Sequence, residues 1–165
     1  MGPNMNSNRT IATKLAIVYI AAFASLAQAK SGEVTTNACF SGEILSSIEF
    51  APQQSIVTAK YFGVLKTVPS GGILDLMSVT CYATVSTVGG PPVVNGNCVY
   101  VDKDGDKFAS RIQGVPPNGK TELLGGSGKF TGMKGGNEYK STRVTSLPGT
   151  ISVCSEAQWK YTLPD

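Results

Sequence analysis

The feature that most constrains this chain is a period of two. Near the C-terminus Ile151, Val153, Ala157, Trp159, Tyr161 and Leu163 fall on one side, and Ser152, Cys154, Glu156, Gln158, Lys160 and Thr162 on the other. Side chains alternate across a strand but recur about every 3.6 residues on a helix, so this segment reads as a long half-buried strand. Segment 56–66 sets Val57, Ala59, Tyr61 and Leu65 against Thr58, Lys60 and Lys66. Segment 43–50 sets Ile44, Ile48 and Phe50 against Glu43, Ser47 and Glu49. The same alternation predicts strands at 73–85, 97–102, 107–113, 120–124 and 136–145. Turn signals separate them: Pro69-Ser70-Gly71-Gly72, Gly89-Gly90-Pro91-Pro92, Asp104-Gly105, Pro116-Pro117-Asn118-Gly119 and Pro148-Gly149. No segment has the spacing of an amphipathic helix. Strands this regular build an all-β sandwich or a closed barrel. Closure is favoured, because it pairs the first strand with the last and leaves no open edge. No repeat or linker marks a second domain.

The N-terminus reads differently. Arg9 and Lys14 precede an apolar run from Leu15 to Leu26, which ends at Ala27-Gln28-Ala29. A basic start, a short apolar run and a small-x-small site form a secretory signal over residues 1–29. A transmembrane helix needs about 20 apolar residues, and this run is shorter. Residues 30–165 then form the single mature domain, with no membrane span after cleavage and a secreted or periplasmic location. Met5 offers a second start, so Met1 to Ser7 can be leader residues. Removing Arg9 and Lys14 takes the 14 basic residues to 12, against 11 acidic. Nucleic acid as a partner therefore loses its electrostatic basis.

The four cysteines, Cys39, Cys81, Cys98 and Cys154, all lie in the mature part. An even count in an exported chain predicts two disulfides, with three connectivities open. Cys81 and Cys98 flank the turn at 89–92 symmetrically, which favours that pair and leaves Cys39 with Cys154. Cys154 sits on the polar face, so its bond should lie on the outer wall. A four-thiolate metal site lacks any closely spaced cysteine pair, and no metal is expected. The chain has no histidine. That removes Ser-His-Asp and Cys-His nucleophile systems and His-ligated metals.

Two motifs fail on their context. Gly114 to Thr121 spells a full P-loop, but the following Glu122-Leu123-Leu124-Gly125-Gly126-Ser127-Gly128 cannot sustain the helix that would face a phosphate. It reads as a proline-glycine hairpin. Asp102-Lys103-Asp104-Gly105-Asp106 resembles a calcium loop, but an EF-hand needs Gly at its sixth position and Glu at its twelfth, where Lys107 and Gln113 stand. A tight Asp-Gly turn is the plainer reading.

The run Gly125-Gly126-Ser127-Gly128-Lys129-Phe130-Thr131-Gly132 resembles the G-G-[ST]-G-x-F-x-G segment of the allene oxide cyclase and dirigent proteins. Gly105-Asp106 followed by Gln113-Gly114 is similar to the strand-turn spacing of allene oxide cyclases. The resemblance covers about residues 98–145. It implies a calycin-like, eight-stranded antiparallel barrel in a secreted, bacterial-type member, often oligomeric, with an apolar pocket. Members guide cyclisation or radical coupling of small hydrophobic molecules without a cofactor. The matching residues are structural glycines and a core Phe, so no catalytic role carries over.

Alternation also nominates a lumen. Ile73, Met77, Val79, Ala83 and Val85 share a face with Asp75, and outward Glu138 and Lys140 turn Tyr139, Ser141 and Arg143 inward. Tyr61, Tyr161 and Trp159 join them. A buried charge needs a partner, so Asp75 and Arg143 either pair, reach water at strand ends, or leave Arg143 to hold a ligand carboxylate. The tyrosines can equally be ordinary core residues with satisfied hydroxyls. Three functions follow. In the first, the pocket steers a small hydrophobic or phenolic molecule through cofactor-free isomerisation, cyclisation or lyase chemistry, with Arg143 as anchor and Asp75 or Tyr139 handling a proton. In the second, a lipocalin-like protein binds such a ligand without chemistry. In the third, the barrel is filled and the module is structural or inhibitory.

Overall fold

The computed structural model describes residues 30–164; the expected signal over 1–29 lies outside them. Eight antiparallel strands follow in chain order: β1 (Lys30–Ala51), β2 (Gln54–Val68), β3 (Met77–Ser86), β4 (Val93–Val101), β5 (Lys107–Val115), β6 (Asn118–Gly126), β7 (Lys134–Val144) and β8 (Thr150–Leu163). Each pairs with the next, and β8 returns to β1, so the sheet closes as a barrel. The expected all-β closed barrel is the fold observed. Among the described residues a single short 3₁₀ turn, Gly128–Phe130, interrupts the strands.

Besides a β4 that begins at Val93 rather than 97, three features of β1 and β3 differ from the sequence expectation. First, β1 begins at Lys30 rather than 43. Its first half turns polar Thr36 inward, which blurs the alternation. Second, β3 begins at Met77, because residues 73–76 form a turn with Leu76 at φ 55°. Third, β1 has an irregularity between Ile44 and Ser46, and its pairing with β8 ends at Glu43. Beyond this point the β1–β2 hairpin leaves the wall, and Ile48 and Phe50 are exposed.

Both disulfides match the favoured pairing. Cys39–Cys154 joins directly opposed residues of β1 and β8 on the outer wall. Cys81–Cys98 does the same for β3 and β4, but is buried on the inside. Cross-links of this kind remove conformational freedom from the unfolded chain.

The two ends of the barrel are unlike. At one end, Leu74, Met77, Phe108, Phe130, Met133 and Leu163 form a packed plug. Tyr100 stacks on Phe108 at 4.4 Å between ring centres, and Trp159 meets both rings edge-on. The glycine-rich segment builds this plug. Gly128 has φ 60°, and a Cβ there would collide with the Asp106 carboxylate. The tight turn it permits drives Phe130 to complete burial. The Asp102–Asp106 loop is the expected turn: Asp102 accepts from the Asp104 and Asp106 amides, and Lys129 sits on its second oxygen. Among the described residues no cluster of His, Cys, Asp or Glu could hold a metal ion.

Candidate functional site

Above the plug the barrel is hollow. A cavity of about 700 Å³ runs from Trp159 and Tyr100 to a mouth at the opposite end. The mouth is framed by the loops β1–β2 (52–53), β3–β4 (87–92), β5–β6 (116–117) and β7–β8 (145–149). None of these loops carries a charged residue. The former P-loop candidate is the β5–β6 hairpin, and its Pro116 and Pro117 form part of the rim.

Cross-strand pairs explain why the upper lumen stays open. Phe40 lies opposite Gly63, Tyr61 opposite Gly42, and Tyr139 opposite Gly119. A Cβ on any of these glycines would strike the facing ring. Each ring therefore lies over a bare stretch of neighbouring strand, against the wall instead of across the lumen. Tyr161 does the same over Gly32, lower in the barrel.

The walls differ in chemistry. Val57, Leu65, Ala83, Val85 and Val94 make the β2–β4 side apolar, together with the Cys81–Cys98 bond. The inward residues of β7 are all polar: Asn137, Tyr139, Ser141 and Arg143. Thr121 on β6 and Ser155 on β8 are register partners of Asn137 and Ser141 and also face the cavity. The result is one polar stripe running from floor to mouth.

Of the residues nominated from sequence, Tyr61, Trp159, Tyr139, Ser141 and Arg143 line this cavity. Two do not. Asp75 belongs to the β2–β3 turn at the plugged end. Its carboxylate accepts the backbone N–H groups of Thr67 (2.9 Å) and Gly71 (2.7 Å). These bonds hold it below the usual carboxylate range. Asp75 fastens a loop, and it cannot partner Arg143 from the other end of the barrel. Tyr161 lies two residues beyond Trp159 and packs beside the plug, outside the cavity lining. Alternation assigned its face correctly but gave no depth.

Electrostatics inside are simple. Among the described residues no carboxylate lines the cavity and no acidic group pairs with Arg143. Arg143 sits near the mouth, where it is exposed. Burial raises the phenol of Tyr61, and the nearby Arg143 charge partly opposes this. Burial also raises Tyr139, and pushes Tyr100 up to about 12, with the Ser110 hydroxyl opposing. Raised in this way, these phenols keep their protons at neutral pH and are available as hydrogen-bond donors to a ligand, not as bases. At the floor, the Trp159 indole N–H donates to the Thr36 hydroxyl at 3.1 Å.

Sequence reasoning missed Asn137, Thr121, Ser155 and Thr36. For Asn137 the signal was present, since the face carrying Tyr139, Ser141 and Arg143 extends two residues back to it.

No protein-family model matches the sequence, and no curated protein does. Among solved structures, the chain is similar to a pterocarpan synthase dirigent protein. The match covers 84% of this chain and 94% of that one, with a TM-score of 0.53 and 12% identity. The likeness is one of fold: a dirigent-like barrel.

Proposed function

We propose that this protein is exported, and that its barrel binds a small, mostly apolar or phenolic molecule through the open end. The observation that carries this reading is the cavity itself: about 700 Å³, apolar on most sides, with a single cationic side chain and no anionic one in its lining. That size and lining are typical of small-molecule sites. Uncharged loops around the mouth let an apolar ligand enter without stripping water from ions. Arg143 would anchor an electron-rich or anionic group at the rim. Two disulfides fit an oxidising compartment, which supports export.

Catalysis by confinement is the second reading. What favours it is the proximity of Arg143 to the Tyr61 phenol, which offers a charge and a proton donor at one place. Cyclisation or isomerisation of a bound reactive molecule would need orientation and little else. Asp75 has no part in this scheme.

The test is native mass spectrometry of the protein purified from its own exporting cell. The expected result is a retained small apolar molecule, lost on denaturation. Titration with 4-propylphenol should also change the emission of Trp159, the only tryptophan in the chain, which lines the cavity floor. A protein that carries nothing and does not respond to the phenol is not a binder of this class.

A further inference from the structure

The polar stripe on β7 sets a requirement on the ligand's shape. Asn137 and Arg143 lie six residues apart on one face of one strand. At about 3.3 Å per residue their Cα atoms are about 20 Å apart along the wall. Arg143 offers at the mouth a guanidinium that no acidic group among the described residues pairs with. Asn137 stands at the floor, 9% exposed, and its side-chain oxygen has no hydrogen-bond partner. Thr121 and Trp159, its register partners, flank it. A buried amide oxygen without a partner is costly and uncommon. The oxygen itself has less than 1 Å² open to the lumen, so a polar group at the floor would be met by the carboxamide turned toward the cavity that Asn137 lines. On the facing β2–β4 wall the phenol of Tyr100 also lies at the floor but does not bond this oxygen, and Leu65, Cys81 and Cys98 offer no hydrogen-bonding group.

We propose that the ligand is an elongated amphiphile with two polar ends: an anionic group held by Arg143 at the mouth, and a hydroxyl that bonds Asn137 at the floor. This rests on the reading of the barrel as a binding protein and deepens it to a ligand class. A hydroxyl both donates and accepts, so it suits either orientation of the amide. The apolar middle of the molecule lies along the β2–β4 wall. Medium-chain ω-hydroxy acids have this shape.

The test uses three probes on the intact, disulfide-bonded protein, read by Trp159 emission: dodecanoate, 12-hydroxydodecanoate and 1,12-dodecanediol. The hydroxy acid should bind several-fold tighter than dodecanoate. In Asn137→Leu that advantage should vanish while dodecanoate binding persists. In Arg143→Gln both acids should weaken by roughly tenfold and the diol should not, as expected for the loss of one charge-assisted contact. Equal binding of dodecanoate and its hydroxy form to the unsubstituted protein overturns the proposal while leaving the binding function intact. So does an unchanged affinity of both acids in Arg143→Gln. Binding of none of the three probes also overturns the two-ended ligand, and the binding function then stands or falls on the 4-propylphenol titration. The probe comparison on the unsubstituted protein decides the matter even where Asn137→Leu does not fold.

Discussion

The Trp159 indole N–H and the Thr36 hydroxyl meet at 3.1 Å across the seam between β8 and β1. Both residues are almost wholly buried. Thr36→Val keeps the shape but removes the acceptor, leaving an indole N–H without its partner. The expected cost is about 1–3 kcal/mol, read as a lower urea midpoint with an unchanged slope. A midpoint equal to that of the unsubstituted protein would mean that cavity water replaces the bond.

The two disulfides should differ in worth. Cys39–Cys154 closes a separation of 115 residues and Cys81–Cys98 one of 17. Chain-entropy reasoning gives about 4.7 kcal/mol for a loop near the longer length and about 3 kcal/mol for one near the shorter. Paired Cys→Ala variants should therefore rank with loss of the β1–β8 bond the more harmful, by guanidinium denaturation. The opposite ranking would point to packing of the buried Cys81–Cys98 pair as the dominant effect.

Alkaline stability follows from Tyr100. Its folded pKa, about 12, lies above the ordinary value of 10.0. The folded state thus holds this proton more tightly than the unfolded one. Its contribution is fully present below pH 10 and is lost as pH rises from 10 to about 12. The shift is on the order of 2–3 kcal/mol. Tyr100→Phe should flatten the fall in melting temperature over that window. Asp75 acts at the other extreme. Its folded pKa is depressed, so its contribution is present above the unfolded carboxylate pKa and is lost as pH falls through the lower folded value. Asp75→Asn should lower stability at neutral pH and weaken the dependence on acid, without altering probe affinity.

Gly119→Ala tests the mechanism that keeps the lumen open. The new methyl would collide with the far end of the Tyr139 ring, which is free to swing into the cavity. Stability should change by about 1 kcal/mol or less, because the ring has space to occupy. Affinity for 12-hydroxydodecanoate should fall at the same time. Loss of stability with unchanged affinity would show that the strand moves instead of the ring.

Strands and turns were legible in the sequence because alternation and Gly/Pro punctuation are local signals. Asp75 was misplaced for the same reason. Ile73, Asp75 and Met77 continue the alternation, yet the chain reverses at Leu76, whose positive φ leaves no mark in a hydropathy pattern. Depth was not legible either. Tyr161 shares its face with Trp159, but which end of the barrel is filled depends on Leu74, Phe130 and Met133, all in connections between strands. The glycine–aromatic pairs needed the register, which depends on partners distant in the chain. Arg143, Tyr139 and Ser141 could be found because their outward neighbours Glu138 and Lys140 fix the orientation of β7.

The Cys39–Cys154 bond also determines how the molecule responds to being pulled. Tension applied at the termini can peel Lys30–Ala38 and residues 155–163 from the seam between β1 and β8. It then meets a covalent stop, and everything between the two cysteines is shielded from the load. The mouth and the walls built by β2 to β7 therefore sit inside a mechanically protected loop, and a tether or an unfoldase acting on either tail would open the floor at Thr36 and Trp159 before it could distort the mouth.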